Sequence, residues 1–401
     1  MNKSDTYRTG IEALDRASAG ERLTAEQIVA LYSVPYDQLR LVAHEQRMRK
    51  ADTDVVCFSM GGNIDYTSVC TIACKFCTYY RTPRQEGAFA LGVDEVLDQL
   101  ADQALTGVTD VIIQGGINPE IPFSWYVELM RAVKEDFPSI HIDFLSPEEI
   151  RGLEKLTGRD AYDLLAELSD AGMDGMPGAS AEILVDEVRE RVSPARLKTA
   201  DWLRIVDAAL RADVHVPSVG LVFGLGETIE QRVEHLVKLR DLQDADLQRG
   251  GPGVAMYKVW PMRLNDTRLN GVIPIDDNQS IIDQYLHQVA IHRLALDNVA
   301  NHGCVWRTMG FETATEALRG GANEILGTGS INAVNSVMAT AGKQVPRPDE
   351  AVLNSVISCI ADAGFKPAQR DARYNVLKVF GENEIGSAGD RLHHEGTFTK
   401  A

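Results

Sequence analysis

The run Tyr66-Thr67-Ser68-Val69-Cys70-Thr71-Ile72-Ala73-Cys74-Lys75-Phe76-Cys77 crowds three cysteines into eight residues, directly after a short strand candidate at Tyr66–Val69. The other three cysteines, Cys57, Cys304 and Cys359, are scattered, and six are too few for a disulfide scaffold in a chain of 401 residues. A Cys-x2-Cys pair alone serves as a zinc half-site or a redox dithiol. A structural zinc site wants four ligands, normally as two pairs, and no second Cys-x2-Cys or His-x3-His pair exists here. A dithiol would have no use for Cys70. The spacing Cys70-x3-Cys74-x2-Cys77 is therefore what the rest of the chain must be read against.

Outward from this run, strand and helix patterns alternate. Val108–Gln114 is apolar, β-branched and closed by Gly115-Gly116. His141–Leu145, Met173–Met176, Val214–Phe223, Val254–Trp260, Cys304–Trp306 and Glu324–Leu326 are further strand candidates. Helical periodicity lies between most of them, as in Val93–Leu105, Trp125–Asp136, Ala161–Ala171, Ala200–Ala212 and Ile229–Leu242. About eight strands in such alternation imply a parallel sheet, and the spacing suits an α/β fold of the (β/α)8 TIM-type barrel kind; an open doubly wound sheet is the alternative. Residues 1–56 read as an N-terminal helical cap, with Thr24 and Gln27 at capping-box spacing. The barrel is expected over 57–332, a C-terminal α/β extension over 333–383, and a disordered tail over 384–401.

Composition narrows the function. Forty Lys plus Arg against 58 Asp plus Glu give a net charge of −18, which argues against a nucleic-acid or anionic-membrane partner, since either needs a basic face. The first twenty residues contain no signal-type apolar run, and no stretch of about 18 apolar residues appears. A cytoplasmic location is expected.

The triad, with the aromatic Phe76 before its last cysteine, resembles the signature of the radical S-adenosylmethionine (SAM) superfamily. Three thiolates leave one iron of a [4Fe–4S] cluster open, where four-cysteine clusters are closed. The resemblance implies that this iron chelates SAM and that one electron releases a 5′-deoxyadenosyl radical. A narrower likeness rests on a series of motifs: Asn63-x-Asp65-Tyr66-Thr67-Ser68-x-Cys70, Tyr79-Tyr80-Arg81, Gln114-Gly-Gly-x-x-Pro119, Phe144-x-Ser146-Pro147-x-Glu149, and Pro177-Gly-x-x-Ala181-Glu182-Ile183-Leu184. Gly224-x-Gly226-Glu227-Thr228-x3-Arg232-x2-His235, Arg293-Leu-x-Leu-Asp297-Asn298, Gly321-Ala322-Asn323 and Pro367-Ala368-Gln369-Arg370 complete it. In this order, from about Leu23 to Phe380, they resemble the dehypoxanthine futalosine cyclase family of the menaquinone route, and slightly less aminofutalosine synthase and the two deazaflavin (FO) synthase components.

That resemblance implies a small nucleoside-like substrate, a reducing partner such as flavodoxin or ferredoxin, and C–C bond formation after hydrogen abstraction. It implies that Cys70, Cys74 and Cys77 ligate the cluster and that Phe76, Gly115, Gly116, Ser146 and Glu149 line the SAM site. Glu182 would accept the ribose hydroxyls and Arg189 would pair with the SAM carboxylate. Tyr66, Asn118, Asp297, Asn298 and Trp306 would lie near substrate. Each has a plainer reading as well: strand-ending glycines, a surface ion pair for Arg189, a helix C-cap for Asp297 and Asn298, core packing for Trp306. No catalytic base is assigned.

The likeness frays on the substrate side. The family usually has Ala-Phe where this chain has Thr78-Tyr79, and His where it has Asn118. A glycine triplet is replaced by Gly178-Ala179-Ser180, and a Met-Glu-Glu-Asn-Val block by Gly329-Ser330-Ile331-Asn332-Ala333-Val334. Loss of paired carboxylates changes what a closed site binds or deprotonates. Three readings follow: a cyclase of the menaquinone route, a relative turned to another small molecule in specialised metabolism, and a metal-binding protein without catalysis. Arg189, Arg293 and Arg307 are the cations an anionic substrate would meet.

Overall fold

The computed structural model describes residues 3–51, 54–179, 181–265, 267–273, 278–328, 350–381 and 384. One extended segment, broken at Met60 into β1 (Val55–Ser59) and β2 (Gly61–Asp65), anchors two sheets. β2 pairs in parallel with β3 (Asp110–Gln114), and β3 with β4 (His141–Phe144). Single bridges then run from Asp143 to Gly175, from Gly175 to His215, and from Val216 to Val254. β5 (Val219–Phe223), β6 (Met256–Pro261), β7 (Asn301–Val305) and β8 (Glu324–Leu326) continue the parallel order, and Cys57 opposite Glu324 returns it to β1. The result is an α/β fold of TIM-barrel-like form.

Helices follow the strands because apolar periodicity gives each one a face to bury. α4 (Val93–Ala104) buries Val96 and Leu100, and its Gln103 Nε2 donates to the Asn63 carbonyl at 2.8 Å, fixing the helix to β2. α5 (Phe123–Asp136) follows β3. α6 (Pro147–Thr157) opens with a capping box of Ser146 and Glu149, has Pro147 in its first turn, and stops at Gly158 with φ +73°. α7 (Ala161–Asp170), the short α8 (Asp186–Val192), α9 (Thr199–Arg211) and α10 (Ile229–Gln248) come next, then α11 (Asn278–Ala295) and α12 (Trp306–Arg319).

The expected N-terminal cap is present as α1 (Lys3–Ser18), α2 (Ala25–Leu31) and α3 (Tyr36–Lys50), with the Thr24/Gln27 capping box formed. α2 packs on α10 and α3 on α11. Arg22 ties the cap down by pairing with Asp244 and, at 3.0 Å, with Asp297.

Several expectations are corrected. The strand expected at Cys304–Trp306 is present as β7, but it runs from Asn301 and ends at Val305, and Trp306 starts α12. Met173–Met176 contributes one bridge residue, Gly175. The C-terminal part holds α13 (Glu350–Asp362), then β9 (Lys366–Arg370) and β10 (Val376–Val379). β9 lies parallel on β1 with Val55 opposite Lys366 and Ser59 opposite Arg370, and β10 is antiparallel to it. The sequence Lys-Pro-Ala-Gln-Arg carries no strand signal, so this addition to the sheet was not foreseen. The Gly329–Val334 block, Ser180 and the chain beyond 384 lie outside the described residues. Among the described residues no helix is long and apolar enough to cross a membrane.

Candidate active site

The loops that leave the C-terminal ends of the parallel strands meet on one face, where barrel-like α/β folds carry their chemistry. The cysteine loop leaves β2, Gly115-Gly116 leaves β3, Ser146 leaves β4, and Gly224 leaves β5.

Cys70, Cys74 and Cys77 are free, half-buried thiols. The loop curls because Ala73 takes φ +51° and the Cys77 N–H donates to the Cys74 carbonyl at 3.2 Å. Burial pushes the Cys74 thiol up to about 11, against the opposing pull of Arg196 and Ser193; burial likewise raises Cys77, against the backbone N–H groups of Tyr80 and Tyr79. The glycine pair is required by this packing. A Cβ on Gly116 would stand 2.2 Å from the Val69 carbonyl oxygen and 2.8 Å from Cys70 Cβ; one on Gly115 would stand 2.9 Å from Tyr66 Cζ.

Glu149 holds three strand ends together. Its Oε1 accepts from the Tyr66 hydroxyl at 2.8 Å and the Gly115 N–H at 2.9 Å, and its Oε2 from the Ser146 N–H at 2.6 Å. Burial lifts its carboxyl to about 7 in spite of these donors. Tyr66 is wholly buried among Trp125, Tyr126 and Phe144, so it stands behind the site and presents no surface to a substrate. Asn118, in the loop after β3, is buried, and its Oδ1 accepts from the Glu120 N–H at 3.1 Å, an Asx turn.

Glu182 sits in a strained turn at φ +34°, a conformation that a non-glycine residue adopts only when its surroundings impose it. Those surroundings are Arg189 and His235. Arg189 is buried; its Nη1 donates to the carbonyls of Ala181 at 2.6 Å and Ile183 at 3.2 Å, while Nε and Nη2 donate to the Leu197 carbonyl. His235 Nδ1 accepts from the Leu184 N–H at 3.0 Å, and burial lowers its pKa to about 3, which keeps the ring neutral. This corrects the expectation for Arg189: its guanidinium is committed to backbone carbonyls on both sides of Glu182 and is not turned to a SAM carboxylate. The cation that does face the site is Arg196. Its Nη1 lies 2.5 Å from Glu182 Oε2, its Nε is 3.4 Å from Glu148 Oε2, and its guanidinium is 5.1 Å from the centroid of the Phe76 ring. The sequence reading passed over Arg196, although Ser193-Pro194 marks the end of the charged helix and the start of a turn that returns toward the cysteines.

Asp297 and Asn298 are also corrected. They precede β7, on the opposite end of the sheet from the cysteine loop. Asp297 pairs with Arg22, and Asn298 Nδ2 donates to the Arg240 carbonyl and to Asp244 Oδ1, both at 2.8 Å. They fasten the cap. Trp306, at the end of β7, is buried and stacked on Phe311 with centroids 4.3 Å apart, and the Arg307 guanidinium lies 4.7 Å from its ring centroid. Arg293 is committed to the carbonyls of Gly321 and Ala300 and to Asn323 Oδ1.

A bound iron–sulfur group fits these residues. Among the described residues no three His, Cys, Asp or Glu side chains converge on a single metal ion. Thiols that hold three corners of a cube stand farther apart than ligands of one ion, and three half-buried thiols of one loop suit the cube. Around them the Ser193 Oγ and the Tyr79 hydroxyl are buried without an aligned hydrogen bond among the described residues. Buried polar atoms in that state want a ligand.

Comparison with known proteins agrees with this arrangement. The radical SAM superfamily model matches residues 64–239, and a CofH/MqnC C-terminal region model matches 251–383. Both segments contribute to one sheet, since β5 pairs with β6 across the boundary. Methylornithine synthase (PylB), a solved structure, shares the fold with a TM-score of 0.63 at 17% identity, covering 89% of this chain and 97% of its own. The fold and the cysteine loop thus make this chain a radical SAM enzyme. It belongs to the family of the cyclic dehypoxanthine futalosine and aminodeoxyfutalosine synthases. It is 31% identical to the cyclic dehypoxanthine futalosine synthase of Halalkalibacterium halodurans, over 92% of this chain and 96% of that one. It is also 31% identical to the 5-amino-6-(D-ribitylamino)uracil–L-tyrosine 4-hydroxyphenyl transferase of Microcystis aeruginosa, over 82% of this chain and 89% of that one.

Proposed function

We propose that this chain holds a [4Fe–4S] cluster on Cys70, Cys74 and Cys77, binds SAM beside it, and forms a C–C bond in a small nucleoside-like substrate, in the manner of the cyclic dehypoxanthine futalosine synthases of menaquinone biosynthesis. The bound cluster and SAM supply a 5′-deoxyadenosyl radical. The protein's own groups position and enclose. Glu182 accepts hydrogen bonds from a vicinal diol, Arg196 offers a planar fork to a carboxylate, and Phe76 packs beneath that guanidinium. Gly115 and Gly116 bring backbone close to the cysteine loop, and Glu149 with Ser146 fixes the β3 and β4 ends that carry it. In the same reading the bridges around the sheet close a (β/α)8 barrel over 57–332, with the cap at 1–56 and the extension at 333–383, and the protein is cytoplasmic.

The observation that carries the reading is the grouping of three thiols of one loop with the Glu182–Arg196 ion pair beside them. Anaerobic reconstitution with iron and sulfide tests it: Cys74→Ala is expected to load no cluster and to form no 5′-deoxyadenosine. Retained SAM cleavage by that variant sinks the proposal.

A second reading, a relative acting on a different small molecule, is favoured by the substrate side. Tyr79 places a phenol where the family usually has Phe, and the identity to two enzymes of different reactions is equal. Incubation with dehypoxanthine futalosine, SAM and reductant decides between them. Cyclic product supports the first; 5′-deoxyadenosine without product supports the second.

A further inference from the structure

We propose that Lys258 and Trp260, on the inner face of the sheet below the cysteine loop, form the specificity site for a substrate built of a flat ring that bears a carboxylate. The inference rests on the reading of a radical enzyme at Cys70, Cys74 and Cys77, since it says what that enzyme acts on, but the residues that carry it are different ones.

The inner face is fixed by what the outer face touches. On β6 the Tyr257 hydroxyl lies 2.9 Å from His292 Nδ1 of α11, so Tyr257 points outward to the helices. Successive strand residues point to opposite faces, so Lys258 and Trp260 point inward. On β2 a Cβ on Gly62 would stand 1.9 Å from Gln103 Oε1 of α4, which puts Gly62 outside and Asn63 inside. Register carries the inner layer around the sheet: Gly220 is opposite Lys258, Lys258 opposite Gly303, Gly303 opposite Glu324, and Glu324 opposite Cys57. A packed barrel fills such a layer with branched apolar side chains. Here glycines flank a lysine, and Cys57, Asn63, Lys258 and Trp260 all remain half-buried. The layer leaves room for a ligand where a core would be closed.

Lys258 is a cation of this interior without a partner. Among the described residues its Nζ makes no hydrogen bond and no ion pair, and it lies 5.1 Å from the centroid of the Trp260 ring. The carboxylates on the same face are engaged elsewhere. Glu324 accepts from the Arg370 guanidinium and the Tyr374 hydroxyl, and Asp143 Oδ1 is 3.1 Å from His141 Nε2. Asp110 Oδ1 accepts from the Thr109 hydroxyl at 2.8 Å, and Asp65, at the end of β2, is not free either. Burial lowers the Lys258 pKa to about 8, against the raising pull of Glu324 and Asp143. Enclosing an ammonium without a counter-charge costs the fold and gives it nothing in return, so an ammonium held in that state marks a place for an anion. Trp260 stands two residues nearer the cysteine loop on the same strand, about 7 Å along it, and offers a flat wall. Together they match a ring with an anionic oxygen at its deep end. A carboxyl is ionised at neutral pH and a phenol is not, so that anion is a carboxylate.

Titration calorimetry with benzoate and its neutral isostere benzamide tests this on the full chain, reconstituted with iron and sulfide and supplied with saturating SAM so that Arg196 is occupied. Benzoate is expected to bind at least about tenfold more tightly than benzamide, the worth of one charge-assisted hydrogen bond. Lys258→Met is expected to abolish that preference and to raise the thermal midpoint by about 2 °C, because an apolar chain of similar length replaces an unpaired ammonium. Lys258→Arg is expected to keep the preference. Trp260→Ala is expected to weaken both probes alike, by about fivefold, since the ring is common to them. Equal affinity for benzoate and benzamide in the unaltered protein overturns the proposal, as does a preference that survives Lys258→Met. A lower midpoint in Lys258→Met overturns it too, since the lysine would then serve the fold. Failure of the cluster reading shows separately, as absence of 5′-deoxyadenosine from the reconstituted and reduced unaltered protein, and the same titration on that protein still decides the role of Lys258.

Discussion

Glu182 Oε2 lies 2.5 Å from Arg196 Nη1, and the backbone that carries Glu182 is held in its strained turn by Arg189 and His235. The acid and its partner are thus a buried ion pair on a braced segment, next to the Cys74 thiol. Removing one member leaves the other charge buried and unpaired, which costs about 3–5 kcal/mol. Arg196→Met is expected to weaken SAM binding by at least about tenfold, as loss of a bidentate anion partner does, and to lower the thermal midpoint. Equilibrium dialysis with labelled SAM checks the first effect. Unchanged affinity would remove Arg196 from the site.

Arg189 gives a contrasting expectation. Because its Nε, Nη1 and Nη2 donate to the carbonyls of Ala181, Ile183 and Leu197, Arg189→Lys is expected to unfold the Glu182 turn and to destabilise the chain by roughly 2 kcal/mol, the cost of buried acceptors left unsatisfied. Its effect on SAM binding should disappear wherever the turn remains folded, for example at low temperature. A Lys variant with native stability and no SAM affinity would restore a direct contact.

Burial pushes the Glu149 carboxyl up to about 7, above its ordinary value of 4.5. A raised folded-state pKa means that the folded chain binds the extra proton. The stabilisation is therefore complete below about pH 4.5 and is lost as pH rises through about 7, by about 3 kcal/mol in all at 1.36 kcal/mol per unit. Glu149→Gln is expected to flatten the stability profile between these limits. Urea denaturation at several pH values measures it, and an unaltered slope in the variant would assign the pH dependence elsewhere.

Tyr79 places a buried hydroxyl without an aligned partner close to the charges of Asp65, Cys77 and Glu149. Tyr79→Phe is expected to keep 5′-deoxyadenosine formation without substrate and to reduce product formed per 5′-deoxyadenosine by about five- to tenfold, the size of one hydrogen bond. Chromatographic quantitation of both products reads the ratio. No change would make the phenol a packing residue.

Arg22 and Asp297 predict a silent change. Both are about a third to two fifths exposed, so their pair contributes less than about 1 kcal/mol. Asp297→Asn is expected to shift the thermal midpoint by a few degrees at most and to leave activity intact. A large loss of turnover would return this residue to the substrate side.

Much of this was legible in the sequence because the signals were local. The β3 run Asp110–Gln114, the Thr24 capping box and the cysteine loop each declare themselves within a few residues. What was not legible depended on direction and distance. Arg189 and Arg196 are both cations in one charged stretch, and only the fold shows that one turns to carbonyls and the other to Glu182. Asp297 and Asn298 follow a helix and precede a strand, which sends them to the far end of the sheet; counting strand ends correctly would have found this. β9 escaped because its pairing with β1 spans more than three hundred residues and owes nothing to its own composition.

That pairing has a consequence for how the enzyme is made. β1 continues into the strand that leads to Cys70, and its neighbours are Glu324 of β8 and the whole of β9. A chain emerging from the ribosome exposes its N-terminal half first. The cysteine loop is therefore synthesised long before the edge beside its supporting strand is covered. The edge beside that strand is closed only by the last tenth of the polypeptide, and truncation near Lys366 is expected to loosen the strand that leads to the thiols.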